Sequence, residues 1–268
     1  MFACAFLIGN VLYGYTIIPE NSQSHKLGYG DWYINTDGEL HLLQQFLRPN
    51  DVVFDVGANV GEWGLYALGV EQSIHLYSFE PLPNIFSDMT NKLSCYPNVQ
   101  TFNLALSDER GKSAFCYYDE TYQFSGLSSF YVREVLKIDH QPPKIIEVER
   151  ETVPYFCRQQ NLDKIDFLKI DAEGAEWIII KGAAPLIEGK KIRAIQFEYG
   201  GCYVDAKITL KEIYDFLSKN DYLVFRIMPH GLVHITHWKP SLENFDMSNY
   251  VAITKSDFIE RLGCINSQ

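Results

Sequence analysis

The stretch Val52-Val53-Phe54-Asp55-Val56-Gly57-Ala58-Asn59-Val60-Gly61 decides the fold. Val52–Val56 reads as a strand, and Gly61–Leu68 reads as the helix that follows. Between them the glycines let the backbone turn sharply and approach a ligand closely. Outward from this unit the same rhythm repeats. Ile74–Phe79 is a strand and Asn84–Leu93 a helix, and Val99–Ala105 is the next strand. Farther on, Phe167–Asp171, Ala194–Glu198, Leu223–Ile227 and Tyr250–Thr254 read as strands, with helices at Ala175–Gly182 and Leu210–Asn220. Strands alternating with helices predict an α/β fold: a Rossmann-like, mostly parallel sheet with helices on both faces. Ligands of such sheets sit beyond the carboxyl ends of the strands. Asp55, Glu80, Asp171 and Glu198 all fall at those ends.

The chain has 268 residues, 47% hydrophobic and 21% charged, so it is globular and long enough for a sizeable core. Residues 1–48 are expected to form an extension packed on the core. Residues 49–268 would then form the ligand-binding domain, with an insertion at 107–150. A formal net charge of −11 argues against a nucleic-acid partner. Cys4, Cys95, Cys116, Cys157, Cys202 and Cys264 form no C-x-x-C pair, which points to free thiols in a reducing, cytoplasmic setting. The apolar start Met1–Gly9 is too short to span a bilayer and lacks the basic start of a secretory signal. It reads as a core element, with a membrane anchor as the alternative and no firm membrane contact expected. His41–Leu47 reads as a short helix.

The insertion is rich in aromatics, among them Tyr117, Tyr118, Tyr122, Phe124, Phe130 and Tyr131. It is either a lid or wall over a substrate or an extra antiparallel ribbon with packed aromatics.

Glu80 ends the strand after the glycine turn, where a carboxylate can accept both hydroxyl protons of a ribose. Asp55 precedes the first glycine, and Asn59 holds the second glycine position. A carboxylate aimed into the cleft would repel a pyrophosphate but suits a ligand carrying an ammonium and a sulfonium. That contrast favours S-adenosylmethionine over a nicotinamide dinucleotide.

Four blocks in order carry a family resemblance: Asp55–Gly61; Phe79-Glu80-Pro81; Asn103-Leu104-Ala105-Leu106-Ser107-Asp108; and Ile165-Asp166-Phe167-Leu168-Lys169-Ile170-Asp171-Ala172-Glu173-Gly174-Ala175-Glu176. Together they resemble the FkbM-type methyltransferase family. The resemblance implies a class I methyltransferase sheet with one antiparallel edge strand. It also implies O-methylation of a sugar, glycan or small hydroxylated metabolite. By motif, Asp55, Gly57, Ala58, Asn59 and Gly61 would line the methionine end of the cofactor, and Glu80 would hold the ribose. Pro81 would shape the turn beside it, and Leu106 and Ser107 would meet the adenine. Trp63 departs from the smaller residues expected there.

Methyl transfer to a hydroxyl needs alignment and a base. Asp171, Glu173 and Glu198 cluster at strand ends, and Lys169 shares a strand face with Asp171. Asp171 is either the base or a cofactor contact. Lys169 is either its partner in catalysis or a structural ion pair. Glu198 is a base, an acceptor contact or a solvated acid. Glu176 is expected on the first turn of the next helix. His230 is the reserve base. His230, His234 and His237 have ligand-like spacing in strand-like sequence, and Asp171, Glu173 and Glu198 could hold magnesium, but no metal site is assigned. A nicotinamide-dependent oxidoreductase and a non-catalytic cofactor-binding module remain the competing readings.

Overall fold

The computed structural model describes residues 36–118, 128–132, 143–229 and 231–263, with residue 34 and the backbone of four short strands before it. His230, Tyr122, Phe124 and most of the first 33 residues, on which several expectations fell, lie outside the described residues. The short strands are β1 (Phe2–Ala3), β2 (Phe6–Ile8), β3 (Val11–Tyr13) and β4 (Thr16–Ile17). Then come β5 (Val52–Val56), β6 (His75–Phe79), β7 (Val99–Phe102), β8 (Ala105–Leu106), β9 (Gly111–Tyr117) and β10 (Lys144–Glu151). Last are β11 (Ile165–Ile170), β12 (Ile192–Tyr199), β13 (Tyr222–Met228), β14 (Gly231–His234) and β15 (Ser248–Thr254).

The main sheet has the order β1-β4-β14-β13-β15-β12-β11-β5-β6-β7. Strands β7, β6, β5, β11 and β12 run parallel, as the alternation predicts. Two cores lie on its faces, and neighbouring strand residues divide between them. Phe54 and Leu168 pack with the helices Val153–Gln159, Glu176–Gly182 and Leu210–Lys219. Val53 and Phe167 pack with α1 (Glu39–Phe46), α2 (Glu62–Val70) and α3 (Pro83–Leu93). Two covered faces explain why β11 is buried at every position. Its two charged side chains must therefore find partners.

One expectation is corrected. The sheet has more than one antiparallel strand, and one of them is interior. Strand β14, on the far side of β13, is antiparallel to it. Strand β15 lies between β12 and β13 and is antiparallel to both. Both its flanks are hydrogen-bonded, and Tyr250–Thr254 is buried throughout. A strand covered on all sides calls for such a continuous apolar run, whereas an edge strand would alternate. The expected strand Val99–Ala105 also divides into β7 and β8, because Asn103 leaves the ladder to donate to the carbonyls of Glu80 and Pro81, each at 2.9 Å.

The insertion forms a ribbon. Strands β9 and β10 pair antiparallel from Gly111–Arg150 to Tyr117–Lys144, and β8 pairs parallel with β10. Phe115 and Val148 bury its inner side on Val60, Leu82 and Ile85. Among the described residues, Cys95, Cys116, Cys157 and Cys202 are free thiols. No described helix is long and apolar enough to cross a membrane.

Candidate active site

The turn after β5 is set by close backbone packing. Gly57 has φ +75°, and a Cβ there would stand 1.8 Å from the Asp171 carbonyl oxygen. The turn thus presses on the end of β11, and Gly57 and Ala58 both donate to the Phe79 carbonyl, at 3.1 and 2.9 Å. The close approach expected for a ligand is made to backbone instead. Gly61, with φ +80°, lies against Leu93 and Met89 of α3. Asn59 adopts φ +48°, tolerable for asparagine, and its N–H donates to Glu80 Oε2 at 3.0 Å. The second Glu80 oxygen accepts from Leu82 N–H at 2.9 Å.

Glu80 therefore ties two loops together and keeps acceptor capacity for further donors. Burial pushes its carboxyl up to about 7, against those two hydrogen bonds and with help from the Asp55 charge. Glu80 lines a cavity of about 190 Å3. Pro81, Leu106 and Ile179 give this cavity apolar walls, and Asp171, Glu173 and Glu198 give it an acidic end. From the insertion, Phe115 and Phe130 line it, with ring centroids 5.4 Å apart and edge to face. The insertion is thus both ribbon and wall.

At the acidic end, the Asp171 and Glu198 carboxyls lie side by side. The Glu198 carboxyl is held well above the usual carboxylate range, by burial first and then by the Asp171 and Glu173 charges. Lys169 Nζ is 3.2 Å from Asp171 Oδ2 and 3.5 Å from Asp55 Oδ1. Burial works to lower the lysine pKa, but the charges of Asp171, Asp55 and Glu39 overcome it and raise the value. Glu176 does more than begin its helix. Its carboxylate reaches back to accept from the N–H groups of Ala172 and Gly174, at 2.8 and 2.9 Å. This folds the turn that carries Glu173 at φ +51°. Burial lifts Glu176 to about 8 despite those bonds.

A model of the methyltransferase FkbM domain matches residues 55–224. The chain belongs to the FkbM methyltransferase family. The cofactor of that family is S-adenosylmethionine, so the nicotinamide alternative falls. The AMB antimetabolite synthetase AmbE of Pseudomonas aeruginosa is 29% identical over 164 residues, which are 51% of this chain and 8% of that protein. The 2-O-methyltransferase NoeI of Sinorhizobium fredii is 25% identical over 179 residues, 63% of this chain and 72% of that protein. The 31-O-demethyl-FK506 methyltransferase FkbM of Streptomyces tacrolimicus is 28% identical over 157 residues, 51% of this chain and 60% of that protein. The chain thus spans a small part of AmbE and about three fifths of FkbM.

The cavity's donor set fits the cofactor. Glu80 has acceptor capacity for a ribose diol, the apolar walls suit a flat base, and the acids suit a sulfonium. Several residues expected at the cofactor stand elsewhere. Asp55 is fully buried beneath the turn, and its ion partner is Lys169. Ser107 is also fully buried, and its hydroxyl donates to Asp108 Oδ1 at 3.3 Å. A Cβ on Gly182 would stand 2.2 Å from the Ser107 carbonyl, so the helix Glu176–Gly182 covers it. Gly61 turns the chain into α2 without lining the cavity. His234 stacks on Phe225 at 4.7 Å, and His237 is exposed. Among the described residues, no group of three or more His, Cys, Asp or Glu is arranged to hold a metal. Trp63, unexplained in sequence, stacks on Phe167 at 5.9 Å and donates to Glu39 Oε2 at 3.1 Å. Glu39 and Phe115 were missed at the sequence level. Phe115 lies in an ordinary strand pattern, and Glu39 looks like any acid on a helix's first turn.

Proposed function

We propose that the protein methylates a hydroxyl of a neutral acceptor, a sugar, a glycan or a small hydroxylated metabolite. The observation that carries this is the Asp171–Glu198 carboxyl pair on a cavity wall that also holds Phe115 and Phe130. Bound S-adenosylmethionine supplies an electrophilic methyl group on a sulfonium. Glu80 and the backbone around Gly57–Asn59 hold it. Asp171 accepts the acceptor's hydroxyl proton, and Lys169 fixes its carboxylate. Glu198 and Glu173 hydrogen-bond neighbouring hydroxyls, while the two phenylalanines offer faces to the apolar side of a sugar ring. No lysine or arginine is among the described residues lining the cavity, which suits a neutral acceptor better than a phosphorylated one. The basic residues of the ribbon are engaged with acids: Arg110 with Glu151, Lys112 with Glu147 and Arg150 with Glu109. The names of NoeI and FkbM, both describing O-methyl chemistry, support the same reading. A cytoplasmic setting is part of it, supported by the free thiols.

The test is formation of S-adenosylhomocysteine in the presence of acceptor panels. Turnover with neutral polyols or glycans is expected. Turnover confined to anionic polymers would overturn the proposal.

A further inference from the structure

Across the glycine turn from the first cavity lies a second, of about 270 Å3. The two share Gly57, Asn59 and Asp171 as walls, so a ligand seated beside Glu80 reaches the second chamber by passing over the turn. Its far wall is α1, which precedes the family-matched segment and brings Glu39. Glu39 is 8% exposed. Its carboxylate accepts from the Trp63 indole at 3.1 Å, from the Asn249 amide at 2.8 Å and from the Gln196 amide.

Those three donors are neutral. A buried carboxylate is costly unless a cation balances it. The nearest candidate, Lys169, is already the ion partner of Asp55 and Asp171. It is also the only cation among the described residues lining the chamber. Asp55, fully buried, has no hydrogen-bond donor on either oxygen. Glu39, Asp55 and Asp171 thus face one ammonium, and the chamber lacks positive charge. The Asp37 carboxyl also lies against Glu39, so its further neighbour is another acid and not a cation. Burial first and then Asp37 hold the Glu39 carboxyl well above the usual carboxylate range.

We infer that Glu39 receives the ammonium group of the cofactor's methionine end and that this second chamber is the amino-acid subsite. This rests on the cofactor assignment above. It replaces Asp55 as the acid at that end, because Asp55 lies beneath the turn. The three neutral donors hold the Glu39 carboxylate in place, and the ammonium supplies the missing charge.

The experiment compares two ligands by calorimetry: S-adenosylhomocysteine, which carries the ammonium, and 5′-methylthioadenosine, which lacks the amino-acid end. In Glu39→Gln, affinity for S-adenosylhomocysteine should fall roughly tenfold to a hundredfold, as loss of a charge-assisted hydrogen bond implies. Affinity for 5′-methylthioadenosine should stay within about twofold of wild type, since it never reaches the subsite. Equal losses for both ligands, or none for either, would overturn the inference. Should Glu39→Gln fail to fold, the wild-type protein decides the matter with S-adenosylhomocysteine stripped of its amino group. Binding as tight as the parent ligand's overturns the inference, and a loss of tenfold or more supports it. If wild type binds neither adenosine ligand, the cofactor assignment itself fails, and the inference with it.

Discussion

Strand β11 carries buried charge at both ends, and the two ends are built differently. At its amino end, Asp166 is 3.0 Å from Arg193 Nε and 3.4 Å from Arg261 Nη2, and it accepts from Val52 N–H at 2.9 Å. Arg261 also grips Asp51, and Arg193 lies 2.9 Å from Asp257. Cations and acids are matched, and the network pins the C-terminal segment to the sheet. At the carboxyl end, Asp171, Glu173, Glu198 and Glu80 line a cavity that has no cation among its described lining. The buried Lys169 contacts Asp171 and Asp55 there. Matched charges serve the fold. Burial first, and then neighbouring acids, raise Glu198 and Glu80, a cost in stability that makes sense where a cationic ligand and a mobile proton are to be handled.

This contrast can be broken from the site end first. Asp171→Asn should lower turnover by about 10²–10⁴ at saturating cofactor, the usual cost of losing a base, and Glu198→Gln, which loses only an acceptor contact, by less. Glu198→Gln should leave stability near wild type, because burial and its acidic neighbours already hold that carboxyl toward its neutral form. Asp171→Asn also removes an ion partner of buried Lys169 and should cost some stability. If both keep near wild-type turnover with normal cofactor binding, the assigned base is wrong. The matched end should respond in the opposite sense. Asp166→Ala removes the buried acid that Arg193 and Arg261 share, leaving them Asp257 and Asp51 alone at that spot, and should cost about 3–5 kcal/mol in urea unfolding. S-adenosylhomocysteine affinity should be unchanged in the folded fraction. A loss of affinity without a loss of stability would erase the distinction between the ends.

A smaller effect sharpens the comparison through pH. Burial pushes the Glu80 carboxyl up to about 7, and ribose hydroxyls donate to its ionised form. Cofactor affinity should therefore be full above pH 7. It should weaken as pH falls through 7, tending toward roughly tenfold per unit. Glu80→Gln should flatten that dependence. A wild-type profile flat from pH 6 to 8 would contradict it.

The parallel core was legible because its signals are local. Strands β5, β6, β7, β11, β12 and β13 each announce themselves by a short apolar run, whereas β9 and β10 of the insertion do not. The position of β15 was legible only in part. Its continuous apolar run speaks of burial on all sides, but no local signal says which two strands it joins. Glu80 could be located from its place at a strand end. Gly57 lines both cavities, but its tightest neighbour is the Asp171 carbonyl, because sequence shows that a backbone must approach something closely without showing what. Asp55 was misplaced for a related reason. A strand-end acid points to one face or the other, and the buried Lys169 opposite fixes which. Glu39 gave no signal at all, since its role depends on Trp63, Gln196 and Asn249 converging from distant elements.

The central claim is that the cavity beside Glu80 holds S-adenosylmethionine. Calorimetric titration of wild type and Glu80→Ala with S-adenosylmethionine tests it most directly, with unfolding curves run alongside. A charged hydrogen bond contributes about 1.5–3 kcal/mol, so affinity should fall roughly tenfold to a hundredfold in a folded variant. Unchanged affinity in a folded Glu80→Ala would contradict the account.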